Sequence, residues 1–147
     1  MNIVVDTNII IRVLIAPNGF VADLYYPSKK QHNLFLSYST IEEINKHKPR
    51  LIKTSGLTRR EFDILLMSII ADVTVVPLEQ IPNSIFLRSF MFIQGIDYDD
   101  VAFVATTLFV KASLWTSDKN LFYGLKKKDF QMVLNNMAIK KILSLKN

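Results

Sequence analysis

The chain has 147 residues, half of them hydrophobic, 21% charged, with a net charge of +5. That is room for one domain with one sizeable core, and with only four glycines and five prolines it excludes a disordered, collagen-like or low-complexity chain. The lack of cysteine excludes a disulfide framework, a thiolate metal site and a cysteine nucleophile, and it fits a cytoplasmic location. In chain order, residues 2–5 form a β-rich run that ends at Asp6. Ile9, Ile10, Val13 and Leu14 then recur at helical spacing until Pro17 and Gly19. A second helix is expected over 20–30, where Pro27 can cut it short, and a second strand over 34–36. A third helix is expected to start at Ser39, with Glu42 completing a capping box, and to end at or before Pro49. Thr58 and Glu61 make another capping box, ahead of Phe62, Leu65, Leu66, Ile69 and Ile70 on one helical face.

A third strand is expected over 73–76, closed by Pro77, and a helix over 81–94, stopped by Gly95. The next helix covers 97–110, with Val101, Val104, Ala105 and Leu108 inward. A strand over 112–115, a short helix over 117–122, a strand over 130–134 and a helix over 139–145 follow. No repeat or linker interrupts the order, so residues 1–147 read as one domain. Short apolar strands alternating with amphipathic helices predict an α/β fold, a parallel sheet covered by helices on both faces. Such sheets bind ligands outside the carboxyl ends of their strands.

Charge is unevenly spread. Between Lys46 and Arg60 there are six basic residues and no acid, and from Lys119 onward seven basic residues and one acid. Lys46, Lys48, Arg50, Lys53 and Lys119 are therefore candidates for contact with a polyanion, although on charge alone solvated helix faces are the plainer explanation. No apolar run approaches the ~18 residues of a membrane span. The first residues carry no basic leader, so neither membrane nor signal peptide is expected. With half the residues apolar, helices such as 81–93 need cover, and a homodimer or bound partner is expected.

The acids fall at strand exits. Asp6 follows the first strand, Glu43 lies early in the helix after the second, and Asp118 comes three residues after Trp115. Asp97 and Asp100 open the helix before the fourth strand and, at i and i+3, share one face. Crowded carboxylates repel and raise one another's pKa unless a divalent cation sits among them, and oxygen-only ligands suit magnesium or manganese. Each acid also has a plain structural reading. Asp6, Asp97 and Asp118 can cap helices, and Glu43 can be an exposed helix residue. Glu42 and Asp99 are assigned to the cap and to solvent respectively. The histidines, His32 and His47, have no ligand-like spacing, and the chain has no Gly-rich phosphate loop or serine-hydrolase elbow. Trp115 is expected to pack under the site.

Asp6-Thr7-Asn8 after the first strand, Glu43-Ile44, Asp97-Tyr98-Asp99-Asp100-Val101-Ala102 and Leu114-Trp115-Thr116-Ser117-Asp118-Lys119-Asn120-Leu121 together resemble the PIN domain. The resemblance runs from residue 2 to about residue 134. It implies a three-layer α/β/α fold around a central, mostly parallel sheet of four to five strands. It further implies a metal-dependent ribonuclease, with Asp6, Glu43, Asp100 and Asp118 as the acidic quartet. Asp97 would be an auxiliary acid, Thr116 a supporting hydroxyl and Asn8 a partner of the first aspartate. Many small members of that family are VapC-like toxins, which implies an antitoxin partner. Two other readings compete: an aspartate-centred phosphatase or phospho-receiver, and a non-catalytic RNA-binding or protein-interaction domain on the same fold. The phosphatase wants an aspartate where Asn8 stands, and the receiver has no place for the Asp97–Asp100 cluster.

Overall fold

Ile3 and Val5 belong to one apolar cluster and Val4, between them, to another, and all three are fully buried. A strand apolar on both faces needs cover on both sides, and helices supply it. The structure, a computed structural model, describes residues 1–145. Strands β1 (Asn2–Val5), β2 (Asn33–Ser37), β3 (Thr74–Val76), β4 (Ser113–Trp115) and β5 (Val133–Leu134) form one sheet in the order β3-β2-β1-β4-β5. Every neighbouring pair is parallel; Val4 pairs with Phe35 on one side and Leu114 on the other.

Helices α1 (Thr7–Ile15), α2 (Phe20–Gln31), α3 (Tyr38–Ser55), α4 (Arg59–Ile70) and α8 (Asn136–Ser144) send apolar side chains into the cluster that holds Ile3 and Val5. On the opposite face α5 (Asn83–Ile93), α6 (Val101–Phe109) and α7 (Lys119–Lys127) pack around Val4 through Ile93, Phe103, Val104, Leu121 and Leu125. The result is the expected three-layer α/β/α arrangement, with all five strands parallel. The chain lays down β1, β2 and β3 outward, then returns to place β4 on the other side of β1. That reversal makes the crevice beyond the β1 and β4 exits the ligand-binding position of the fold.

Several boundaries differ from the sequence reading, each for a local reason. Ser37 rather than Ser39 is the N-cap of α3: its hydroxyl accepts from the Ser39 amide at 3.2 Å. Glu42 therefore sits inside the helix, exposed, and completes no capping box. Pro49 lies within α3, and the helix continues because Leu51 and Ile52 beyond it pack into the core, which outweighs the lost amide. Pro27 is likewise inside α2. Pro82 takes the N-cap place of α5, so the helix expected from 81 starts at Asn83, after a short 3₁₀ turn over Leu78–Gln80. The capping box of Thr58 and Glu61 is present as expected, with contacts of 3.0 and 3.1 Å. α7 is longer than the helix expected over 117–122, and β5 is shorter than the strand expected over 130–134. No single helix among the described residues is long and apolar enough to cross a membrane.

Candidate active site

Asp6 is the first residue past β1, and its backbone amide donates to the Trp115 carbonyl at 2.9 Å, extending the β1–β4 pairing by one step. It stands at the N-cap place of α1, but its side chain makes no capping bond. Its Oδ2 instead accepts from the Thr116 hydroxyl at 2.6 Å. Both residues are buried. Burial lifts the Asp6 pKa to about 6; the Thr116 hydroxyl and the Thr7 amide pull it down, and the Asp118 charge pushes it up. The Thr116 Oγ1 also accepts from the Asp118 amide at 3.0 Å, so one hydroxyl ties the two aspartates together. Asn8 Oδ1 accepts from the Ser117 amide at 3.3 Å. The Asn8 side chain thus clamps the β4–α7 connection, and it is the Asn8 backbone amide, with that of Thr7, that acts on Asp6.

Asp118 caps α7, accepting from the Leu121 amide at 3.1 Å through Oδ1. Capping and membership of the acidic rim are thus compatible in one residue. Glu43 comes from the second turn of α3. Its pKa is raised by burial, then by Asp6, and further by Asp99; the Thr7 hydroxyl and Lys46 act against the rise. Asp97 caps the 3₁₀ turn Tyr98–Asp100, accepting from the Asp99 amide at 3.0 Å, and Asp100 then stands at the N-cap of α6. Burial and, after it, the charges of Asp6, Asp97, Asp118 and Glu43 lift Asp100 to about 7.

The charges of Asp6, Glu43, Asp97 and Asp118 all act on Asp100, so the five acids share one electrostatic field centred there. Their donor atoms are all hard oxygens, and a divalent cation would relieve the repulsion that raises Asp100 and Glu43. In that sense the residues fit magnesium or manganese. Among the described residues, however, no three acidic or histidine side chains close around a common point. The acids share a field, and enclosing an ion requires their side chains to turn inward.

The basic residues divide. Lys48 is paired with Asp63 on α4, which removes it from the free cations proposed for a polyanion. Lys46 is exposed and close enough to Glu43 to oppose its pKa rise. Arg50 and Lys53 are exposed on the later turns of α3, and Lys119 is exposed at the first residue of α7, next to Asp118.

Three features escaped the sequence reading. Thr7 and Thr40 meet through their hydroxyls at 2.9 Å in a buried contact. That contact docks α3 on α1 one turn before Glu43. The signal was present: Thr40 is three residues before Glu43 and shares its helix face. Asp99, read as turned away, is exposed but its charge reaches Glu43. Trp115 is fully buried, and its indole Nε1 donates at 2.9 Å to Asn136 of α8, a residue that no motif or spacing singles out.

Among solved structures, the chain is similar to one from the VapBC2 complex of Rickettsia felis, crystallised with a DNA fragment from its promoter. The match covers 92% of this chain and 98% of that one at 12% identity, with a TM-score of 0.69, and so concerns the fold. No curated protein matches the chain in sequence. The PIN domain family model matches residues 4–138, from within β1 to the first turns of α8 and across every acid of the rim, and the chain belongs to that family.

Proposed function

We propose that the protein is a magnesium- or manganese-dependent endoribonuclease, with Asp6, Glu43, Asp100 and Asp118 as the acids that hold the cation. The observation that carries this reading is the crowding at Asp100, where four other carboxylates add to the effect of burial. Such crowding at the exit of a parallel sheet is costly in an apo protein and is the usual mark of a functional site. Bound there, a divalent cation supplies positive charge to the phosphate oxygens and an activated water. The chain's own residues do the rest. Thr116 holds Asp6 by its hydroxyl and the Asp118 backbone by its oxygen. Asn8 fixes the connection that carries Asp118. Lys46 and Lys119, exposed beside Glu43 and Asp118, draw in the phosphate backbone.

The test is cleavage of labelled single-stranded RNA, with DNA as comparison, in magnesium, manganese or chelator. Metal-dependent cuts in RNA that disappear in Asp6→Asn, with the variant's melting curve intact, are expected. If neither ion supports cleavage nor shifts melting, the reading fails; if RNA is bound but never cut, the non-catalytic reading takes its place.

A toxin role with an antitoxin partner extends the proposal, supported by the family and by the fold shared with the VapBC2 chain. The exposed apolar side chains Leu87, Phe90 and Met91 of α5 offer such a partner, or a second copy, a surface to cover. Expression of the wild type alone should slow host growth, and expression of Asp6→Asn should not.

A further inference from the structure

Beside the acids, where β4 runs into α7, lies a recess of about 190 Å³. Thr116 and Asp118 line it together with Tyr123 of α7 and Asn136 and Met137 of α8. Its volume is below the ~300–1,000 Å³ of sites for drug-sized molecules, so it holds one planar ring system.

The polar group in this recess is held in one orientation. The indole Nε1 of fully buried Trp115 can only donate, and it donates to Asn136 Oδ1 at 2.9 Å. The amide oxygen is therefore the atom on the indole side; it also lies 3.4 Å from Ser117 Oγ, the oxygen that Nδ2 approaches. One Nδ2 hydrogen goes to Ser117 Oγ at 3.3 Å, which leaves the second for a ligand acceptor. The Tyr123 ring, which also lines the recess, is 58% exposed and braced edge-on against Phe122, with centroids 5.1 Å apart. Tyr123 and Lys119 also border a second, larger groove of about 590 Å³ that carries Lys127. An aromatic ring, a directed donor and a lysine-lined exit thus stand together, one residue from Asp118.

We propose that the recess is a nucleobase subsite, in which the base beside the scissile phosphate stacks on Tyr123 and accepts from Asn136 Nδ2. The following phosphates run past Lys119 and Lys127. The proposal rests on the ribonuclease reading and adds what would read the substrate. Stacking tolerates every base, whereas a donor discriminates when it meets the edge that carries position 4 of a pyrimidine or position 6 of a purine, the edge assigned to Asn136 Nδ2 here. Uracil and guanine present a keto oxygen where cytosine and adenine present an amino group, so the subsite favours U or G.

Two measurements on the full chain test this separately from catalysis. Cut sites in a random single-stranded RNA pool should be enriched in U or G at one flanking position, and Asn136→Ala should flatten that preference. Tyr123→Ala should raise KM about tenfold, more than it lowers kcat, as loss of one stacked base predicts. Tyr123→Trp should restore KM. In metal-free protein, uridine monophosphate should shift the NMR signals of the Trp115 indole and the Asn136 amide. If wild type cuts RNA but Tyr123→Ala leaves KM unchanged, or the nucleotide leaves both signals in place, the subsite is overturned while the nuclease stands. If no RNA is cut but the nucleotide moves both signals, the subsite stands and the nuclease reading falls.

Discussion

Thr116 serves two aspartates with one oxygen, donating to Asp6 and accepting from the Asp118 amide. Thr116→Val keeps the shape and removes both bonds. The expected loss is about 10–100-fold in metal-dependent cleavage, as for other groups that orient ligands, and the variant should stay folded by circular dichroism. The same change removes the main influence holding the Asp6 pKa down, so Asp6 should titrate higher still. The raised acids also set a pH dependence. Asp6 and Asp100 hold their protons to about 6 and 7 when folded, but lose them near the ordinary aspartate value of 3.8 when unfolded. Between pH 4 and pH 7 the folded state therefore binds more protons, and metal-free stability falls as pH rises. For Asp6 alone the loss by pH 7 is roughly 3 kcal/mol. Urea melts in chelator at pH 4.5 and pH 7.5 should show the lower stability at the higher pH, and Asp100→Asn should reduce the difference. A rise in stability over that window would contradict the crowding. The neighbouring acids part in the same way: Glu43→Gln should abolish most cleavage, and Glu42→Gln, exposed and capping nothing, should retain it. Asp99→Asn should fall between Glu42→Gln and Asp100→Asn, because its charge reaches Glu43 from an exposed position.

At the scale of elements, α3 decides where Glu43 points. β2 runs into α3 with no loop between them, so Ser37 ends the strand and caps the helix at once. Ser37→Ala should cost about 1 kcal/mol in urea denaturation, and Ser39→Ala less, since only Ser37 accepts from the helix backbone. That junction also explains what the sequence made legible. The alternation of apolar strands and helices, and the acids just beyond β1 and β4, follow from local pattern, so the parallel sheet and the position of Asp6 and Asp118 at its exits could be read directly. The cap of α3 could not, because a strand that becomes a helix leaves no loop residues to mark the change. The uninterrupted course through Pro49 was hidden for another reason: Leu51 and Ile52 reach core partners distant in sequence. The pairing of Lys48 with Asp63 and the hold of Trp115 on Asn136 join separate helices and strands, and no spacing rule announces them.

At the scale of the whole molecule, the acids cost stability that a cation should return. Magnesium or manganese at about 100 times its dissociation constant should add about 2.7 kcal/mol, a Tm rise on the order of 5–10 °C for a chain of this size. The rise should be larger at pH 7.5 than at pH 5, where protons compete for the same oxygens, and Asp100→Asn should shrink it in calorimetry. The strand order has a consequence of its own for a chain emerging from the ribosome. β1 is made first and lies at the centre of the sheet, but its partner β4 is made more than 100 residues later. The hydroxyl that orients Asp6 is 110 positions away. A nascent chain that has produced only β1, β2 and β3 owns Asp6 and Glu43 but has no crevice to put them in, because closing so long a loop comes late. The proposed ribonuclease site therefore cannot assemble until residues 113–118 have been made and β4 has paired with β1, so the segment that carries Asp6 waits on one synthesised long after it.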